Sequence, residues 1–159
     1  LTIYSKEQNI KNTKIYYFNT LDYETKEIGE KLISVSRSLI NKIEKRELYK
    51  GAFMKKEKLN TSPNAMKSIE QFNNLTYFII EDILCYDYPK TRAKIIEKWI
   101  DIAIYCLKRK DFNDYLAINV ALNNYIITGL KLTFKELSKK HIMELNEMNN
   151  NCSCRGNYN

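Results

Sequence analysis

Apolar residues fall three and four apart along most of this chain, and that spacing admits few folds. Ile28, Leu32, Val35, Leu39 and Ile43 follow one another at intervals of 4, 3, 4 and 4, the recurrence that lines one face of a 3.6-residue helix. The pattern tightens in "FNDYLAINVALNN", residues 112 to 124, where two stripes run along one predicted helix. Phe112, Leu116, Val120 and Asn123 form the first. Tyr115, Ile118, Leu122 and Tyr125 form the second, oilier one. A helix with two faces to cover needs neighbours on both sides, or a partner. Four glycines and two prolines in 159 residues leave few places for tight turns, which disfavours a barrel or sandwich of many strands. The expected fold is all-α: a single multi-helix domain of about six helices over residues 18–159, preceded by an N-terminal arm, residues 1–17. A chain of this length buries roughly 70% of its unfolded surface on folding.

Start signals place the helices. Glu24 and Glu27 suit the positive end of a first helix running to about Ile43. "EKRELYKGAF" reads as a short helix ending near Gly51, and "MKKEKLNT" as a loop. Ser62 is the expected cap of the next helix, with Pro63 at its first position. Ile69, Phe72, Leu75 or Thr76, and Ile79 to Ile83 are its inward residues. Pro89 opens a helix that turns Ala93, Ile96, Trp99 or Ile100, Ala103 and Leu107 inward. Asp111 or Asn113 caps the two-striped helix. Thr133 caps the last, with Phe134, Leu137, Ile142, Leu145 and Met148 apolar.

Several chemistries are disfavoured. The net charge of +7 is carried by cations of which 21 of 26 are lysine, scattered in short clusters at 55–58, 108–110 and 139–140. A solvated lysine surface fits that pattern better than a nucleic-acid face, which concentrates arginine and aromatic residues in one stripe. His141 is the one histidine, so His-based nucleophilic triads and a four-ligand zinc site lack partners. It is expected on or half under a helix surface. Cys85 and Cys106 are expected as small buried hydrophobes, and Cys152-x-Cys154 stands without a second pair. No phosphate-cradling glycine motif occurs. Catalytic residues, cofactor and metal are each expected to be none. No apolar run reaches the roughly 20 residues that span a bilayer, so direct membrane insertion is not expected.

Three segments then fall into a recognisable order. "SPNAMKSIEQFNNLTYFIIEDIL", "RAKIIEKWIDIAIYCLKRKDFNDYLAINVALNN" and "LKLTFKELSKK" follow one another as they do in the Ras-type guanine-nucleotide exchange factor catalytic domain of the Son of sevenless kind. Upstream, "LDYETKEIGEKLISVSRSLINKIEKREL" resembles that domain's first helix and the short element after it. The resemblance spans roughly residues 18 to 158, and its motifs recur together: the Pro-Asn helix start, the Phe-Asn pair, the helix ending in Asn123 and the Leu-Thr-Phe start.

The resemblance implies a domain that does no covalent chemistry. Such domains hold the switch II region of a Ras-family GTPase in a groove, displace switch I with a protruding helical hairpin, and so release GDP. They prefer the nucleotide-free GTPase, because a factor that accelerates release must bind the empty form more tightly. Carried onto this sequence, the groove comprises Met66, Glu70, Asn73, Leu116, Val120 and Asn123, with Lys58 in the preceding loop. Met66, Glu70 and Asn73 share a helix face by spacing alone. Simpler roles stand beside these: Phe72 in the core, Asn64 and Asn113 as helix-start hydrogen bonders, Asn123 as a C-terminal cap, and Lys58 as a solvated lysine.

Leu1 is not methionine, and in the family the hairpin follows the segment resembled by "RGNYN". The expectation is therefore a fragment with weak or absent exchange whose parent is active. Its expected location is the cytoplasm, with membrane recruitment left to the GTPase or to domains outside this chain. Two other readings remain: a degenerate module that docks a GTPase or another helix without opening it, and a basic helical nucleic-acid binder supported by charge alone.

Overall fold

The computed structural model describes residues 19–153. The expected arm, residues 1–17, lies outside them, as do Cys154 and "RGNYN". The described chain contains nine α-helices and two 3₁₀ segments, and no strand. Five helices are long: α1 (Thr25–Ile40), α4 (Pro63–Leu84), α5 (Pro89–Lys108), α6 (Phe112–Leu122) and α9 (Lys139–Cys152). Four span little more than a turn: α2 (Lys45–Leu48), α3 (Lys58–Thr61), α7 (Tyr125–Thr128) and α8 (Lys131–Lys135). The all-α fold is as expected. The helix count exceeds six because the connections are themselves helical turns.

Helix α5 is the axis. Ile95, Ile96, Ile100, Ile102, Ala103 and Cys106 are wholly buried along it, and Trp99 nearly so. Burying an isoleucine contributes roughly 1.5–3 kcal/mol relative to leaving it exposed, so a helix covered on nearly all sides is a large share of the core. Helices α1, α4, α6, α8 and α9 all pack on it. At Gly29 the packing of α1 leaves no room for a side chain, since an added Cβ would stand 2.5 Å from Cδ1 of Tyr105.

Polar anchors tie distant segments together inside this core. Asp82 of α4 accepts from Trp99 Nε1 at 2.8 Å and from the Thr20 hydroxyl at 2.6 Å. The 3₁₀ turn Thr20–Asp22 is thereby attached to the centre of the domain, with Thr20 fully buried.

Several local expectations are corrected. Segment 58–61 is not loop but the one-turn helix α3, so Lys58 opens a helix. Residues 49–54 are 3₁₀ turns broken by a kink at Lys50 and Gly51, both at positive φ (49° and 65°), a backbone state that glycine reaches without a Cβ penalty. Ser62 does not cap α4, since its hydroxyl donates to the Glu47 carbonyl at 2.9 Å. Thr133 lies buried within α8 and accepts from Arg92 Nε at 3.0 Å, while Ser138 caps α9. Ile69 and Ile142 are exposed, not inward, and Cys85 at the end of α4 is exposed, unlike buried Cys106. No helix among the described residues is long and apolar enough to cross a membrane.

Candidate functional site

Helix α6 is enclosed on most of its circumference. Asp111 caps it, accepting the Asp114 N–H at 3.1 Å. Toward α4, the Thr76 hydroxyl donates to the Ala117 carbonyl at 3.3 Å. Toward α1, the Ser36 hydroxyl donates to Asp114 Oδ1 at 2.7 Å. Tyr115, Ile118 and Leu122 lie in the shared core. On the α9 side, Asn123 Nδ2 donates to Asn149 Oδ1 at 2.6 Å.

One ridge of α6 remains open. Phe112 is 64% exposed, Leu116 41% and Val120 43%. Asn123 ends the ridge, exposed at the helix C-cap. The two stripes read from the sequence therefore separate as the periodicity requires, one inward and one outward, with a single correction. Tyr125 does not extend the buried stripe and is 81% exposed. Helix α6 stops at Leu122, and Asn124 starts α7 by accepting the Ile126 N–H at 3.0 Å, so the register is lost between them.

Helix α4 presents a second ridge. Met66 is half-buried, and Glu70 and Asn73 are exposed. Tyr77, 63% exposed, continues the same face. Helices α4 and α6, which carry the two ridges, pack directly on each other. Lys58 is exposed in α3, ahead of α4. Phe72 packs against the core, the simpler of its two readings.

The start of α4 is fixed by a residue that the sequence alone did not single out. Glu47 of α2 is almost wholly buried, and its carboxylate accepts the Asn64 N–H at 2.8 Å, the Ala65 N–H at 2.9 Å and Asn64 Nδ2 at 2.8 Å. Burial works to raise its pKa, but the hydrogen bonds from Ala65, Asn64 and Glu44 outweigh it and hold the carboxyl below the usual range. Asn64 thus serves as a helix-start hydrogen bonder. Tyr77 was not singled out from the sequence either, although its i+11 spacing from Met66 places it on the same helix face.

The other end of the site has an acidic pair. Burial pushes the Asp114 carboxyl up to about 7; the Ser36 hydroxyl opposes this and the neighbouring Asp111 carboxylate adds to it. Asn123 takes the capping role, the simpler of the two readings given to it. Its Nδ2 also donates to the Asn119 carbonyl at 2.8 Å, closing its own helix, yet the residue lies at the surface. The two ridges offer apolar side chains, amides, a phenol and one carboxylate. That set suits docking a protein surface, with apolar anchors for affinity and polar groups for register. Outside that set, Asp101, His141 and Glu144 converge between α5 and α9, and could hold a metal ion.

Comparison with known proteins adds a family. The RasGEF domain model matches residues 27–159. Ras guanine nucleotide exchange factor M of Dictyostelium discoideum is 26% identical over 151 residues, 94% of this chain and 16% of that protein. Ras guanine nucleotide exchange factor K of the same organism is 32% identical over 141 residues, 88% of this chain and 9% of that protein. Ras-specific guanine nucleotide-releasing factor 1 of Mus musculus is 32% identical over 114 residues, 72% and 9% respectively. The chain spans less than a fifth of the length of these curated relatives.

Proposed function

The chain belongs to the RasGEF domain family, and from that membership we propose that it docks the switch II region of a Ras-family small GTPase on the ridges of α4 and α6, as part of a protein that promotes GDP release. The observation that carries this reading is the exposure of Leu116 and Val120 on a helix otherwise enclosed by the core. Apolar residues held outward beside polar ones offer a partner the apolar centre and polar rim of a docking patch. Met66, Glu70, Asn73 and Asn123 frame them in this reading, Tyr77 joins them, and Lys58 contacts the GTPase from α3.

The GTPase preferred in this reading is nucleotide-free. Release is accelerated only to the extent that the factor binds the empty form more tightly than the loaded one. We place the beginning of the domain at residue 18, before the family match, because buried Thr20 joins the following turn to Asp82.

The test is capture of several Ras-family GTPases by this chain, each stripped of nucleotide and, separately, loaded with GDP. Preferential capture of the stripped form is expected, together with its loss in a Leu116→Glu variant. Equal capture of both forms would replace exchange with simple docking. Capture of neither, by a chain that circular dichroism shows to be helical, would sink the proposal.

A further inference from the structure

We propose that Asp101 of α5 and His141 and Glu144 of α9 form a binding site for a divalent transition-metal cation, Zn²⁺ being the best chemical fit. The inference is independent of the exchange reading, because the trio includes none of the residues proposed to meet the GTPase.

Geometry carries the proposal. His141 Nε2 stands 3.4 Å from Asp101 Oδ1 and 4.0 Å from Glu144 Oε2, and the three ligand atoms lie within 4.8 Å of one another. Tetrahedral ligands at about 2.0–2.2 Å from zinc stand about 3.4 Å apart. A small closing movement of Glu144 therefore completes three protein positions, with a fourth left for water.

Two further observations point the same way. His141 Nε2 and Glu144 Oε2 are shielded from solvent, yet neither makes a hydrogen bond among the described residues. A buried polar atom left unpaired is costly, and a cation standing between Nε2 and the two carboxylates would pair all three. The opposite ring nitrogen is already held: Nδ1 lies 2.7 Å from the Ser138 hydroxyl and 3.3 Å from Glu97 Oε1. Glu97 is in turn fixed by accepting the Ser138 N–H at 2.7 Å. An oxygen partner at Nδ1 that leaves Nε2 free is the arrangement that orients metal-binding histidines. One imidazole with two carboxylates selects a zinc-like ion over magnesium or calcium, which favour all-oxygen shells.

Lys140 is the competing cation. Its Nζ stands 3.7 Å from Asp101 Oδ1 and 3.6 Å from Glu144 Oε1. The side chain is 66% exposed and can swing away into solvent.

The test uses the full chain without tag histidines, titrated with Zn²⁺ and with Co²⁺. Zn²⁺ is expected to raise the melting midpoint by roughly 4 °C at a tenfold excess over its dissociation constant. Co²⁺ is expected to give visible ligand-field bands without the near-ultraviolet thiolate charge-transfer band. Asp101→Asn and Glu144→Gln should each abolish the response while the metal-free chain stays helical, and Lys140→Gln should tighten binding. The Cys152→Ser/Cys154→Ser double variant should respond like the parent. Absence of any Zn²⁺ response would overturn the proposal, leaving the trio as polar contacts between α5 and α9. Loss of the response in the cysteine variant would equally overturn it by assigning the metal to the thiols.

Discussion

Oε2 of Glu47 accepts the backbone N–H of Ala65 at 2.9 Å, so a carboxylate on one short helix closes the start of the longest helix in the domain. The first amides of a helix have no partner within it. Glu47 takes two of them, and its negative charge complements the positive end of the helix dipole. Met66, Glu70 and Asn73 follow within the next turns of α4, so the cap also sets where that ridge begins.

Glu47→Gln should lower thermal stability and fray the first turn of α4, read as faster hydrogen exchange at Met66 and Lys67. The pH dependence has a definite sign. The folded-state pKa of Glu47 lies below its ordinary 4.5, so the carboxylate stabilises the fold above that value. The contribution is lost as pH falls through the ordinary glutamate range and below it. Melting curves from pH 7 to pH 3 should show a steeper acid loss in the parent chain than in Glu47→Gln.

Asp114 predicts the opposite slope. Its folded-state pKa is raised to about 7 from an ordinary 3.8, so the folded state holds a proton that the unfolded state gives up. Between those values stability rises as pH falls, and the ionised carboxylate is a burden above about 7. Asp114→Asn keeps an acceptor for the Ser36 hydroxyl and adds an N–H toward Asp111. It should match or exceed the parent in stability at pH 8, and urea midpoints for the variant should be flat between pH 5 and pH 8. A variant much weaker than the parent at pH 8 would contradict the buried-proton account.

The exposed ridge of α6 gives a prediction about binding. Leu116→Glu and Val120→Asp each place a charge where the structure has room, so circular dichroism and melting should change little. Capture of a nucleotide-free Ras-family GTPase should weaken about tenfold or more, on the order of 1.4 kcal/mol. Ile118→Asp is the contrasting control. Its side chain is wholly buried, so that change should unfold the domain outright.

Gly29 predicts a packing cost. A Cβ there would meet the Tyr105 ring at 2.5 Å, and that ring is held by the bond from its hydroxyl to Glu30 Oε1 at 2.6 Å. Gly29→Ala should destabilise by about 1–3 kcal/mol in urea unfolding. Placed on a Tyr105→Ala background, the same change should cost much less, because the obstructing ring is gone.

The fold was legible where one face of a helix had to be apolar. Ile28 and Leu32, Ile79 and Ile83, and Ile118 and Leu122 all lie in the core as their spacing demands. Legibility failed where a helix end was satisfied from a distance. Ser62 carries the local signature of a cap, but Glu47 fills the position from another helix, and no local pattern shows that a carboxylate fifteen residues upstream will arrive there. Thr133 failed for the same reason, its hydroxyl being claimed by Arg92 of α5. Of the proposed docking residues, the shared faces of Met66, Glu70 and Asn73 and of Leu116 and Val120 follow from periodicity. Their lying on two helices packed together does not, since it depends on tertiary contacts such as that of Thr76 with Ala117. The meeting of His141 with Asp101 was hidden likewise: forty residues separate them in sequence, and only the packing of α9 on α5 joins them.

The ridge of α6 has little freedom left to lose. Its helix is gripped by hydrogen bonds to α1, α4 and α9, and Val120, branched at Cβ, has essentially one rotamer available on a helix. Ordering flexible side chains and loops is a main cost of association. A molecule that settles on Leu116 and Val120 meets a surface already in its final shape, so whatever rearrangement accompanies the encounter falls to the visitor.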